Sequence, residues 1–535
     1  MAQSELSVKT YSRQDSLRGS ITAERVWWDV QHYDLYVSVN PEDSTLKGTN
    51  IIRYQVIDGG TVLQIDLQHP LKITRASQND VELPIEHEGS AHFITTRKSQ
   101  IPGEIYELRI EYEGKPKVAI NPPWDGGVTW QKDKKGNSFI ATACQGIGAS
   151  VWWPCKDHAY DEPDDGLLLR INVPEKLKAV GNGRLKEVND GAGNTKTFIW
   201  EVKNSINNYG VNLNVGDYTH FSDTYHGENG KLDLDFWVLE YNEKRAKEHF
   251  KDVYRSLEAF EYWFGPYPFY EDSYKLVEVP YLGMEHQSSV TYGNGYMNGY
   301  KGQDLSQTGW GLKWDYLIVH ETAHEWFANN ITYSDPADMW IHESFACYAE
   351  GLFIEYFYGK EAGGAYLKGM RQRIDNQGTI IGDYDVNKRG EDLYDKGANV
   401  LHTLRQWVNN DALWRQILRG LNEDFYHQVV TTNEVEAYIA QKSGLELSAF
   451  FDQYLRDRRV PVLEYVINQD IISFRWTNCI PEFNMPVKVN FNDIPVEISP
   501  VASWRSAKLP QQDIRIDVDE DYYVYAHEIV LNKPE

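Results

Sequence analysis

Residues 317–327 read Leu-Ile-Val-His-Glu-Thr-Ala-His-Glu-Trp-Phe, placing two histidines four apart inside a mostly apolar run. The run predicts a buried helix over Trp314–Asn329. On a helix, positions i and i+4 share a face, so His320 and His324 project together, roughly 6 Å apart. That spacing suits two ligands of one tetrahedral zinc. The competing reading is a pair of hydrogen-bonded histidines on an ordinary packed helix. A third donor decides between them. Asp335-Pro336 has the form of a helix start, with Asp as cap and Pro at the first position. The helix expected over Pro336–Tyr358 carries Glu343 about two turns inside a largely apolar element. Lone carboxylates are rarely buried unless paired or metal-bound. A helix hairpin would bring Glu343 to the two imidazoles, and two histidines plus one carboxylate leave a coordination position open, as in catalytic zinc sites.

The rest of the chain must build around this hairpin. Tyr33, Leu35, Val37 and Val39 alternate with polar residues, and similar patches recur at 51–56, 104–112, 167–173 and 211–218, with glycine turns between them. An antiparallel β domain over 1–238 is the expectation. Helical spacing begins near residue 240, at Asn242–Phe264, and returns at 366–377, 396–407, 412–423 and 432–443. Only one strand pair, near 274–279 and 288–292, interrupts it. That marks an α-rich catalytic domain over 239–448. Beyond Phe450 the pattern returns to strands, a small β-sandwich over 449–535. The chain is therefore expected to be multidomain α+β.

The stretch from His320 to Glu350 resembles the M1 (gluzincin) zinc aminopeptidases. His-Glu-x-x-His, 18 residues, then Glu is their spacing, and Trp326, Asn329, Thr332, Trp340 and Tyr348 fall on familiar positions. Ala328, His342 and Ser344 depart from it, standing where Gly, Asn and Gly are usual. The resemblance implies a thermolysin-like middle domain, one Zn2+ held by His320, His324 and Glu343, and Glu321 as the catalytic base. Asp338 and Glu350 would accept from the ligand N–H groups. Tyr394, in Tyr394-Asp395-Lys396-Gly397-Ala398, would steady the oxyanion. Gly283, Met284, Glu285 and His286 resemble the family's substrate strand, Glu285 holding the α-ammonium, with His286 replacing Asn. Gln145, nine residues before Pro154, resembles the glutamine of the leukotriene A4 hydrolase branch and would bind the same ammonium. The partners implied are peptides with a free N-terminus.

Composition narrows the alternatives. Lys plus Arg is 53 against 79 Asp plus Glu, a net charge of −26, which opposes nucleic-acid binding. No apolar run of 18 residues predicts a membrane span. The four cysteines match no zinc or disulfide framework and read as thiols. Met1–Ser7 has no signal-peptide pattern, so a cytoplasmic location and a periplasmic or secreted one after removal of a leader both stay open. A monomer is expected, without the large C-terminal helical domain of many M1 members. Two other functions compete: a non-catalytic peptide-binding protein on the same scaffold, and an epoxide hydrolase. The second needs Asp and Tyr shortly before Tyr394, where this chain has Val386 and Arg389.

Overall fold

The computed structural model describes residues 9–492, 494–509 and 515–530; Met1–Ser7 lie outside them. A β-rich region, a helix-rich region and a second β region follow one another along the chain. The first is built on an eight-stranded sheet whose centre pairs Trp28–Asn40 with Thr45–Val56 and Leu167–Pro174. The alternation read from the sequence is the buried face, since Val30, Tyr33, Leu35, Val37 and Val39 all point into the core. One ladder differs from the antiparallel expectation: Leu167–Pro174 runs parallel to Trp28–Asn40. It reaches the sheet after a long excursion, and such a crossover is what parallel pairing requires. Within that excursion, strand Ser138–Ala143 of a separate four-stranded sheet leads straight into Cys144 and Gln145.

A five-stranded sheet then joins the β region to the helices. Its strands, in spatial order, are Tyr218–Gly227, Gly230–Leu239, Tyr274–Glu278, Val290–Tyr292 and Gly283–Met284. Gly283–Met284 pairs with Val290–Tyr292 alone and forms the edge. Met284 belongs to the apolar core of the first region and Leu282 to that of the helical region, so this edge is clamped between two cores.

The helical pair of the motif is shorter than its periodicity predicts. Asp315 accepts from the amides of Leu317 and Ile318, starting helix Tyr316–Ala323, and the chain leaves it at His324. Pro336–Asp338 is a 3-10 turn capped by Asp335, and the α-helix runs only from Trp340 to Tyr358. Glu343 therefore sits in the first α-helical turn, not two turns in. The expected helix over 242–264 breaks at Phe250 into Glu243–His249 and Lys251–Phe264. The one at 366–377 instead spans Lys360–Met370 and closes with a 3-10 turn at Arg371–Arg373. Ser448–Leu455 is a helix the sequence reading missed, because its buried Phe450, Phe451, Tyr454 and Leu455 form a run too short to show a period. Two small sheets follow, and their Phe474, Trp476, Val487 and Val489 share the helical region's core. All four cysteines are free thiols. Among the described residues no helix is long and apolar enough to cross a membrane.

Candidate active site

His320 and His324 meet Glu343 across the two motif helices. Their Nε2 atoms lie 3.3 Å apart, and Glu343 Oε2 is 3.7 Å from the first and 3.5 Å from the second. Donors about 2.0–2.1 Å from a tetrahedral zinc would be separated by about 3.3 Å, so the triangle fits that ion. The outer nitrogens complete the argument. His320 Nδ1 lies 2.7 Å from Glu350 Oε1, and His324 Nδ1 lies 2.9 Å from the Phe327 carbonyl. Both contacts call for an N–H on Nδ1, which leaves two bare Nε2 lone pairs and a carboxylate converging on one point. Only a cation satisfies three such donors. The surroundings also favour positive charge at this point. Burial opposes charge on His320, yet Cys347, Glu343 and Glu350 outweigh it and hold its pKa well above the ordinary value. Burial likewise opposes ionisation of Glu343, but the two histidines pull its carboxyl well below the usual range.

Around this triangle lies a cavity of about 440 Å3. Gln145 Nε2 donates to Glu343 Oε1 at 2.6 Å and to Glu285 Oε1 at 2.7 Å, bridging the first β region, the sheet edge and the metal ligand. Glu285 also accepts from Tyr209 at 3.2 Å, and its backbone carbonyl accepts from Asn329 at 2.9 Å. Burial raises its pKa. Gly283 and Met284 line the cavity with the free edge of their strand. A Cβ on Gly283 would meet Leu317 Cδ1 at 2.6 Å and the Thr291 carbonyl at 2.9 Å. The glycine is thus demanded by packing against Leu317 of the motif helix and the neighbouring strand.

Glu321 and Tyr394 face the same cavity. Burial lifts Glu321 to about 8, against the pull of His320. Tyr394 is held as a neutral phenol, since burial and the Glu343 charge raise it further than Arg389 lowers it. Arg389 Nη1 donates to the Tyr394 oxygen at 2.8 Å, leaving the phenol hydrogen free to point elsewhere.

Two predicted roles need correction. Asp338 does not touch a ligand histidine: its oxygens accept from Tyr384 Oη, Thr432 N and Thr432 Oγ1, a buried tie between the hairpin and helix Thr432–Ser443. His324 uses a backbone carbonyl instead. His286 is fully buried and off the cavity wall, with Nδ1 3.2 Å from Thr291 Oγ1. Burial depresses it to about 3, so it packs as a neutral ring behind the substrate strand.

The motif departures have identifiable partners. His342 Nε2 accepts from the Tyr333 amide at 3.0 Å and Nδ1 lies 3.3 Å from Tyr209 Oη, steadying the phenol that reaches Glu285. Ser344 Oγ donates to the Leu393 carbonyl at 2.6 Å, one residue before Tyr394. Sequence reasoning missed Tyr209, which no local spacing marks. It also missed Tyr366, which donates to Glu350 Oε2 at 2.6 Å. Tyr316 was missed as well, although its place one helical turn before His320 is a signal that could have found it; its ring stacks on the imidazole at 5.4 Å.

The comparisons with known proteins agree with this geometry. Residues 249–454 match the peptidase family M1 domain, and residues 29–209 match the peptidase M1 N-terminal domain. A probable aminopeptidase 1 of Sulfurisphaera tokodaii is 22% identical over 69% of this chain and 47% of its own length. Aminopeptidase N of Lactococcus lactis subsp. lactis is 22% identical over 88% of this chain and 56% of its own. The chain spans about half the length of the curated relatives it matches. A crystal structure of an M1 zinc metallopeptidase E323A mutant from Deinococcus radiodurans, bound to a Tyr-Ser-Ala substrate, superposes with a TM-score of 0.65 at 23% identity, over 79% of this chain and 93% of that one.

Proposed function

We propose, from the premise that this chain belongs to peptidase family M1, that it is a zinc-dependent aminopeptidase releasing the first residue of peptides with a free N-terminus. The observation that carries the reading is Gln145, whose amide joins the ligand Glu343 to Glu285 in a single hydrogen-bonded row. A metal-binding carboxylate and an ammonium-binding carboxylate held this close suit cleavage one residue from an amine. A larger gap would suit cleavage within a chain.

His320, His324 and Glu343 would hold the zinc, which when bound supplies Lewis acidity to a water and to the scissile carbonyl. Glu285 and the Gln145 carbonyl oxygen accept from the substrate ammonium, fixing the register. The free edge of Gly283–Met284 aligns the substrate backbone as an added strand. Glu321 takes a proton from the attacking water and returns it to the departing amine. Burial opposes the carboxylate form that this first transfer needs, and the neighbouring His320 and His324 favour it. The Tyr394 phenol donates to the carbonyl oxygen as negative charge gathers there. Burial of Glu285, Glu321 and Glu343 keeps bulk water from screening these contacts.

The test is a panel of aminoacyl anilides and short peptides, each paired with its N-acetylated twin, assayed alongside zinc stoichiometry. Free-amine substrates should be cut and acetylated ones spared, and Glu321→Gln should retain zinc while losing at least 100-fold in kcat. Equal cleavage of acetylated peptides, or an active Glu321→Gln enzyme, would sink the reading.

A further inference from the structure

Two guanidinium groups line the cavity, and they are not equivalent. Arg373 is committed to Asp395, 2.9 Å away. Arg389 has no carboxylate partner among the described residues. Its one hydrogen bond goes to the Tyr394 oxygen, and its guanidinium carbon sits 5.6 Å from that ring's centre. Four of its five N–H donors are therefore unspent, at the wall of a cavity whose other charged groups are mostly acidic.

The loop that carries Arg389 is held from several sides. Gly382 N donates to the Ala337 carbonyl at 2.9 Å, Asp385 N to Asp335 Oδ2 at 3.0 Å, and Asn387 Nδ2 to the Gly146 carbonyl at 3.1 Å. Lys9 and Tyr11 both reach Asp383. A Cβ on Gly390 would lie 1.9 Å from the Ile380 carbonyl, so the turn beside Arg389 is packed against its own base. The loop beneath the cation is preorganised in this way, and Tyr394 alone among the described residues steadies the exposed guanidinium itself.

Its reach identifies the ligand. With Tyr394 donating to the scissile carbonyl oxygen at about 2.8 Å, the Arg389 fork lies within about 5.6 Å of that oxygen, the sum of two such hydrogen bonds. The main-chain carbonyl of the following residue falls in that shell, and each further residue adds roughly 3.5 Å. In a dipeptide this group is a carboxylate, which a guanidinium binds with two parallel hydrogen bonds. In a longer peptide the same place holds a neutral carbonyl. We propose that Arg389 reads the terminal carboxylate of dipeptides, so that the cleft selects peptides by length from their far end. The inference rests on the aminopeptidase reading above, and the cavity volume, toward the small end of the range of about 300–1,000 Å3 for small-ligand sites, is in keeping with it.

The experiment compares kcat/KM for a dipeptide, its C-terminal amide and the tripeptide extended by glycine, for wild type, Arg389→Gln and Arg389→Lys. A leucyl anilide, which has no such carboxylate, is run beside them. Wild type should favour the free acid over the amide by about ten- to hundredfold, the span of a charge-assisted hydrogen-bond pair. Arg389→Gln should bring that ratio near one, and Arg389→Lys should fall between, since an ammonium lacks the fork. A wild-type enzyme that cuts the anilide but treats acid and amide alike overturns the inference and spares the aminopeptidase reading. Failure to cut any free-amine substrate overturns both. If Arg389→Gln slows acid and amide by one common factor, Arg389 acts only through Tyr394 and the carboxylate role falls. The wild-type ratio decides the matter even if neither variant folds.

Discussion

Ser344 and Gly397 touch where helix Trp340–Tyr358 crosses helix Asp395–Val408, one residue from the ligand Glu343 and three from Tyr394. A Cβ added to Gly397 would lie 1.9 Å from Ser344 Oγ and 2.5 Å from Ser344 Cβ, but 3.4 Å from Ser344 Cα. Rotating the serine could relieve the first contact and not the second. Gly397→Ala must therefore push the helices apart, at about 1–3 kcal/mol for overpacking. Against this stands helix propensity, which favours Ala over Gly by about 1 kcal/mol. In the Ser344→Gly background the nearest remaining atom is at ordinary contact distance, so only the propensity gain is left. The same substitution should then be destabilising in the native background and stabilising by up to about 1 kcal/mol in the other. Ser344→Gly alone should cost about 1 kcal/mol through the lost bond to the Leu393 carbonyl. The double-mutant cycle should show a coupling of about 1–3 kcal/mol. Thermal unfolding of the four proteins reads the signs, and kcat on one anilide reads whether Tyr394 moves with the helix. Gly397→Ala having the same effect in both backgrounds would refute the steric argument.

Two further predictions concern buried carboxyls. Glu350→Gln keeps the shape but replaces the anionic acceptor at His320 Nδ1, so zinc affinity should fall about 10–100-fold, measured by chelator competition; an unchanged affinity would remove Glu350 from the support of the metal. Glu162 lies outside the site, with Oε1 buried and unpartnered, and burial lifts its carboxyl to about 8. Its folded pKa exceeds the unfolded value of about 4.3, so the folded state binds the extra proton. That contribution to stability is present at low pH and is lost as pH climbs towards 8. Glu162→Gln should thus raise the melting temperature more at pH 8 than at pH 5, and a pH-independent difference would contradict the burial argument.

The two histidines were legible because four residues return a side chain to the same face, whereas Glu343, on the second helix, was legible through the rarity of a lone buried carboxylate and the family's 18-residue spacing. Legibility fell off where a residue's role depends on a partner distant in the chain. Asp338 has the burial expected of a carboxylate supporting a metal ligand, but burial says only that donors exist, and they proved to be Tyr384 and Thr432. Tyr209 reaches Glu285 from the first β region, and nothing in its neighbourhood marks it. Helix ends were misjudged for a related reason. Apolar periodicity continues through 314–329, but the chain turns out of the α-helix at His324, where local turn bonds replace the i→i−4 ladder: Glu325 N donates to the Thr322 carbonyl, Trp326 N to the Ala323 carbonyl and Asn329 N to the His324 carbonyl.

Ala328 shows what such replacement can cost. Its φ is +147°, in a region that side chains with a Cβ rarely enter, at roughly 1–3 kcal/mol. Glycine would sit there without penalty. The conformation is held from three sides: Thr332 Oγ1 donates to the Ala328 carbonyl at 2.7 Å, Asn207 Nδ2 donates to it at 3.3 Å, and Asn329 N donates to the His324 carbonyl at 3.0 Å. Asn329 in turn donates its amide to the Glu285 backbone. The strained residue is therefore the link between a metal ligand and the carboxylate proposed to bind the substrate ammonium. A relaxed conformation at 328 would swing Asn329 away from Glu285. The placement of Glu285 thus outweighs the strain, and that is a judgement no reading of residue 328 alone could reach.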